Sequence, residues 1–415
     1  MAGIHRERPD ASAIRPARGR PATDVGDGVW MSEGLSNSYL IGTDDGPVVV
    51  NCGMGFEGPF HRRAYDDVDA AALHTIILTQ GHFDHVGGVD TLRGDATEVV
   101  AHRRFTVWRD DNERLEAFRS RNAAFAWMDA IVAAMEHART VGVDAVAQSR
   151  PEPTMLVDGE RLLTVGGREL VLIETPGGET FDSLVVWMPQ TRTLLSGNLF
   201  GPLFGHVPNL VTMRGDRYRD ALAYTESLDT VLALAPDRLL TGHFAPVEGT
   251  DRIAEEITAM RDAMRWVHDR TVDGMNAGAD VHTLMREVTV PDHLDLGEGY
   301  GRTSWNVRAI WESYAGWFHH RSTTELYPTP SLAVATDLVA AAGADALAAA
   351  ARCHVTQGHP VEALHLTDIV LAVEPDHWAA RRSAVEAHEA LLAESTNFWE
   401  SAWLRRAIAK LTGGS

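Results

Sequence analysis

Apolar residues in this chain follow two different rhythms. Up to about residue 250 they come in short runs rich in β-branched residues, cut by Gly, Pro and Asp. Such runs predict strands. Asn37–Gly42 and Pro47–Asn51 read as two strands around the turn Thr43-Asp44-Asp45-Gly46, followed by the Gly-rich loop Cys52-Gly53-Met54-Gly55. Leu73–Leu78 and Glu98–Ala101 predict two more. Short strands return between Met155 and Ser196, and Arg238–His243 is a strand that ends in a histidine. Between them, residues 112–138 have helical spacing without Pro or Gly and predict a helical insertion near a strand end.

After about residue 252 the rhythm becomes helical. Ala, Leu, Glu and Arg dominate, and Tyr327-Pro328-Thr329-Pro330 reads as a linker. The segments starting at Gly358 and at Glu374 frame two helices that resemble one tetratricopeptide-like hairpin. A single repeat cannot bury its own face, so a second subunit is the expected partner. The expected organisation is a flexible or loosely docked N-terminal arm (1–28), an α/β domain (29–252) and an all-α domain (253–415).

Composition narrows the function classes. The chain has 415 residues, 45% hydrophobic and 23% charged, as expected for a globular protein with a sizeable core. A net charge of −21 argues against nucleic acid as a partner. The two cysteines, Cys52 and Cys353, lie far apart, which excludes a thiolate zinc site and favours a reducing, cytoplasmic setting. No apolar run is long enough to span a membrane. The Arg- and Pro-rich first residues carry no apolar core of a secretory signal.

The chemistry concentrates in Gln80-Gly81-His82-Phe83-Asp84-His85, directly after a predicted strand. Two imidazoles and a carboxylate on a strand-to-helix loop can point into one space, and they suit zinc or iron. The bland alternative is that Asp84 only caps the next helix. His243 and Glu179 are further candidate ligands, though a lone His at a strand end is often a satisfied core residue and a Glu in a Gly-rich turn is often solvated. His206 is a candidate proton donor. Arg214 can pair with a sulfate-like or carboxylate group, or form a structural salt bridge. Phe125, Trp127 and Met128 line either an apolar pocket or a helix core stripe.

The run resembles the metallo-β-lactamase superfamily signature HxHxDH followed by Gly-Gly, with Gln80 at the first histidine position. Thr175-Pro176-Gly177-Gly178-Glu179, the stretch Asn209–Gly215 and the stretch Tyr300–Trp317 resemble the alkyl sulfatase branch. The resemblance runs from about residue 30 to the C-terminus. It implies an αββα sandwich followed by a helical dimerisation domain, hence a homodimer. It also implies two metal ions, one held by Gln80, His82 and Glu179, the other by Asp84, His85 and His243. The branch's bridging glutamate falls on Gly197, and the superfamily's bridging aspartate falls near Asn198, so the bridging carboxylate is missing. One firm zinc ion and a weaker second one are therefore expected.

The activity implied is hydrolysis of a small organic ester, sulfate-like above all. The expected attacking group is a metal-bound water oriented by Asp84, with Arg214 and Asn209 contacting substrate. Iron- and oxygen-dependent oxidation on the same ligands is the alternative. A third reading is a dimeric binding protein of weakened activity.

Overall fold

The structure is a computed structural model that describes residues 3–143, 146–211 and 213–413. Thr212, within the Asn209–Gly215 stretch, and residues 1 and 2 of the N-terminal arm lie outside the described residues. The chain divides into two compact units, Met1–Tyr314 and Ala315–Ser415.

Among the described residues the first unit holds two sheets. In the first, β1 (Thr23–Asp24), β2 (Val29–Ser32), β3 (Ser38–Ile41), β4 (Val48–Val50), β5 (Thr75–Leu78), β6 (Glu98–His102) and β7 (Met155–Val157) lie side by side in chain order. Pairing is antiparallel from β1 to β4 and parallel from β4 to β7. The second sheet runs β8 (Glu160–Val165), β9 (Arg168–Glu174), β10 (Leu184–Met188), β11 (Thr193–Gly197), β12 (Arg238–Thr241) and β13 (Val247–Glu248). There only β11 and β12 are parallel.

Strand alternation explains the layering. Successive side chains of a strand point to opposite faces. Tyr39, Ile41, Val48, Val50, Ile77 and Val100 meet Leu170, Leu172, Leu184, Val186, Leu195 and Leu240 between the sheets. Their neighbours Leu40, Val49, Ile76, Leu78, Val99 and Ala101 face outward onto Tyr65, Val86, Val89, Leu92 and Phe105. A sheet buried on both faces needs near-continuous apolar strands, which is why β5 and β6 do not alternate with polar residues. The other sheet is covered by the helices Ala221–Leu234 and Thr250–Asn276. The result is the expected αββα sandwich.

The compact units divide elsewhere than at residue 253. Helix Thr250–Asn276 buries Ile253, Ile257, Met260, Met264 and Val267 and packs on β12, β13 and helix Ala221–Leu234, so it belongs to the first unit. Tyr327–Pro330 accordingly lies inside the second unit, exposed between two short 3-10 helices. The N-terminal arm is docked: Ile4, Ala11, Ile14 and Ala17 are buried. The Gly3 amide donates to Asp295 Oδ2 at 2.7 Å, the Ile4 amide to Glu256 Oε1 at 2.9 Å and the Ala17 amide to Glu57 Oε1 at 2.8 Å. Polar, Arg-rich composition hid these anchors.

The helical insertion forms as Phe105–Arg114, Glu116–Ala123 and Met128–Thr140, starting earlier than its spacing suggested. In the second unit, Pro360–Val373 and Trp378–Glu394 form the expected hairpin. Small residues let its helices approach Ala344–Thr356, with Ala348, Val370 and Ala380 in one cluster and Ala351, Ala363 and Ala387 in another. The hairpin therefore buries its face within its own chain, and a second subunit is not required for that. Among the described residues no single helix is long and apolar enough to cross a membrane.

Candidate metal centre

β5 delivers the chain into Thr79-Gln80-Gly81-His82, and the short helix Phe83–Val86 then presents Asp84 and His85. The Cys52 amide fixes that helix by donating to the His85 carbonyl at 2.7 Å. Gly81 has to be glycine, because a Cβ there would collide with the Trp108 ring.

His243 follows β12. The loop that carries it is tied to β3: Asn37 Nδ2 donates to the Thr241 carbonyl at 3.2 Å and to the Phe244 carbonyl at 2.8 Å, and Tyr39 Oη donates to the Thr241 carbonyl at 2.6 Å. Arg8 of the docked arm reaches the His243 carbonyl at 3.3 Å, a support with no local signal in the sequence.

These two loops bring Asp84, His85 and His243 together, with one ligand atom of each within 4.8 Å of the others. Asp84 Oδ2 is 3.6 Å from His85 Nε2, and the two histidine rings stand at 87° with centroids 6.5 Å apart. Ser36 Oγ lies 3.3 Å from His85 Nδ1, so the other ring nitrogen, Nε2, is the one that faces the group. Nε2 of His85 and both ring nitrogens of His243 are buried without a hydrogen-bond partner among the described residues. Buried imidazole nitrogens of this kind need a partner, and a divalent cation with N/O preference supplies one. Burial pushes the His85 pKa down to about 3 and that of His243 to about 4, so both are neutral and competent as ligands at neutral pH. Burial raises the Asp84 pKa, with His243 opposing.

The other expected ligand set is arranged differently. Gln80 is fully buried, and its amide lies 2.6 Å from His82 Nδ1. His82 Nε2 lies 3.1 Å from Arg214 Nη2. A neutral imidazole accepts at one nitrogen only. A guanidinium only donates, so Nε2 accepts from Arg214, while Gln80 Nε2 faces Nδ1 and Gln80 Oε1 is buried without a hydrogen-bond partner among the described residues. Glu179, 2% exposed, receives Arg219 Nη1 at 2.8 Å on Oε2 and Arg214 Nη2 at 3.5 Å on Oε1, with His82 Nδ1 at 3.5 Å. His82 and Glu179 thus face two arginines, and Gln80 Oε1 is the acceptor of this expected ligand set that is buried without a partner among the described residues.

Arg214 is held by Asp216, Nε to Oδ2 at 2.7 Å, and Asp216 also meets Arg119 at 3.1 Å. Burial works against the charge of Arg214, but Asp216, Tyr300 and Glu179 together outweigh it and keep the guanidinium protonated. Burial and the Arg214 and Arg219 charges hold His82 well below its ordinary pKa. Trp108 packs edge-on against His82 at 5.0 Å and carries Arg119 over its ring at 5.2 Å. Beside Gly81 lies the fully buried Asp182, whose pKa burial pushes up to about 7. Arg219, Trp108, Asp216 and Asp182 escaped sequence reasoning because their partners are distant in the chain.

The bridging positions carry no anion. Gly197 closes β11 at a bulge with φ of 51°, and a Cβ there would meet Thr79 Oγ1. Asn198 is neutral, with Oδ1 buried and without a hydrogen-bond partner among the described residues. Asn209 is buried, and its carbonyl accepts from Arg219 Nη1 at 2.6 Å, which links it to Glu179 through one guanidinium.

His206 does not join the group. Its Nδ1 accepts the Gly299 amide at 3.0 Å, and its ring stands edge-on to His5 at 5.6 Å. Burial lowers its pKa to about 4. The ring packs under the N-terminal segment. Beside His243 a cavity of about 390 Å³ is lined by Asn37, Arg15, Arg18 and Arg20. Phe125 and Trp127 are half-buried and Met128 is exposed, on the helical insertion.

Known proteins resemble this chain in sequence and fold. The sequence matches the alkyl sulfatase dimerisation family over residues 281–413. It is 31% identical over 253 residues to a linear primary-alkylsulfatase from a Pseudomonas species, covering 59% of this chain and 47% of that protein. It is 26% identical over 357 residues to the alkyl/aryl-sulfatase BDS1 of Saccharomyces cerevisiae, covering 80% of this chain and 54% of that protein. The chain thus spans about half the length of the curated relatives it matches. The structure of the stereoselective inverting sec-alkylsulfatase Pisa1 from Pseudomonas sp. has the same fold, with a TM-score of 0.82 at 23% identity over 95% of this chain and 66% of that one. With residues 31–243 matching the metallo-beta-lactamase family, and with the sandwich and ligand loops described above, the chain belongs to the metallo-beta-lactamase superfamily.

Proposed function

We propose that this chain is a metal-dependent hydrolase of a small organic ester, sulfate esters first, centred on Asp84, His85 and His243. The observation that carries this reading is the convergence of those three ligand atoms within 4.8 Å, with His85 Nε2 and both His243 ring nitrogens buried and without a hydrogen-bond partner among the described residues. The alkylsulfatase relatives support the substrate class. Zinc fits a site of two imidazoles and one carboxylate. When bound, such an ion polarises an ester oxygen and lowers the pKa of water toward neutrality.

The chain's own residues supply the rest. Asp84 is partly exposed and its pKa is raised, which suits a carboxylate that orients water and accepts its proton. Arg214 and Arg219 hold a fixed positive field beside it, and the arginine-lined cavity next to His243 suits an anionic head group. The helical region is read as a homodimer surface, in line with its family description. Two free cysteines, one buried and one exposed, support a reducing compartment.

The test is release of inorganic sulfate from a medium-chain alkyl sulfate by the zinc-loaded chain, beside carboxylic esters and lactones as comparison substrates. Turnover of one of these supports the reading. No turnover of any, together with iron in the purified chain and oxygen uptake, replaces it with the oxidative one.

A further inference from the structure

We infer that Arg214 takes the place of a second metal ion, so that the chain holds one divalent cation beside a fixed guanidinium. The inference deepens the proposed function, because it concerns the same site and rests on Asp84, His85 and His243 binding metal.

Lone pairs make the first argument. A second ion would need donors from Gln80, His82 and Glu179. His82 gives its Nε2 lone pair to Arg214 at 3.1 Å, and its Nδ1 lies 2.6 Å from Gln80 Nε2. Glu179 gives Oε2 to Arg219 at 2.8 Å and faces Arg214 with Oε1 at 3.5 Å. His82 and Glu179 already face cationic partners, and what stays unpartnered is Gln80 Oε1, a single neutral amide oxygen.

Charge makes the second. Arg119, Arg214 and Arg219 stand against the two carboxylates Asp216 and Glu179. The pocket is net positive before any ion enters, and a dication would add to that. Two close dications are held together by an anion between them. Here the strand end offers Gly197, where no side chain fits, and neutral Asn198. One guanidinium in place of a dication removes one positive unit, and the missing carboxylate removes one negative unit.

Rigidity makes the third. Arg214 is not a loose side chain that an ion could displace. Asp216 clamps its Nε at 2.7 Å, and Asp216 is itself buried and anchored to Arg119. A planar guanidinium so held offers oriented N–H donors to an anionic substrate, which a hydrated lysine does not.

The experiment counts metal. The full chain is stripped with chelator, dialysed against zinc or cobalt(II), and assayed by elemental analysis. Wild type is expected to retain one ion per chain. Arg214→Ala, and more so Arg214→Ala combined with Gln80→His, is expected to approach two, with magnetic coupling between paired cobalt ions. Arg214→Lys keeps the charge and is expected to stay at one. Two ions in wild type overturn the inference and leave the metal reading intact. Folded alanine variants that stay at one also overturn it. No ion in wild type overturns both. If the variants fail to fold, the wild-type count alone decides.

Discussion

Nη2 of Arg214 lies 3.1 Å from Nε2 of His82, across 132 positions of sequence. That contact binds the strand-end loop to the segment before helix Ala221–Leu234. It also converts a histidine expected to hold metal into one that holds a cation of the chain's own. Several consequences can be measured.

Glu179 is the carboxylate between two buried guanidinium groups. Removing one partner of a buried pair leaves charge without compensation, at a cost of about 3–5 kcal/mol. Glu179→Gln should lower unfolding free energy by that order in denaturant titrations, even in metal-free protein. A change below about 1 kcal/mol would show that the arginines find other partners.

Asp84 is assigned both to the metal group and to proton transfer. Asp84→Asn keeps the shape and loses the base. Turnover should fall by roughly two to four orders of magnitude, with the far-ultraviolet circular dichroism unchanged. Full activity in this variant would remove Asp84 from the chemistry.

Gly81→Ala should disturb the site from a distance. The added methyl meets the Trp108 ring, which packs on His82 at 5.0 Å. Overpacking of this kind costs roughly 1–3 kcal/mol. A shifted tryptophan emission and a lower melting temperature are the expected readouts, and an unchanged variant would contradict the packing.

His61 gives a pH prediction outside the ligand group. It is fully buried, its Nδ1 is 2.7 Å from Ser32 Oγ, and burial lowers its pKa from 6.5 to about 4. The unfolded chain binds a proton below pH 6.5 that the folded chain refuses until about pH 4. Stability from this group is therefore complete above pH 6.5 and falls as pH drops toward 4, by up to about 3 kcal/mol. His61→Gln should flatten that part of a stability-against-pH curve. An identical curve would mean that His61 is not buried in neutral form.

The sandwich was legible in sequence because strands and their order are written in local apolar runs. β5 and β6 read as apolar stretches, and β5 led directly into the ligand loop. Asp84 and His85 were legible for the same reason, and His243 because it ended a strand. What sequence could not show was partnership at a distance. Arg219 meets Glu179 from 40 positions away. Arg8 supports the His243 loop from 235 positions away. Where helices pack was not legible either, because a helix carries the same composition whether its stripe packs on a sheet or on other helices. Helix Thr250–Asn276 packs on the sheet. The contact of His206 with the Gly299 amide and its packing on His5 were likewise out of reach, because both partners are distant in the chain.

The central claim is that Asp84, His85 and His243 bind metal. Zinc binding to the chelator-stripped chain by isothermal titration calorimetry tests it most directly, with His85→Ala and His243→Ala alongside. The account predicts a saturable site in wild type that weakens at least 100-fold in each variant, since each loses one of three ligands. Equal zinc affinity in wild type and both variants would contradict it.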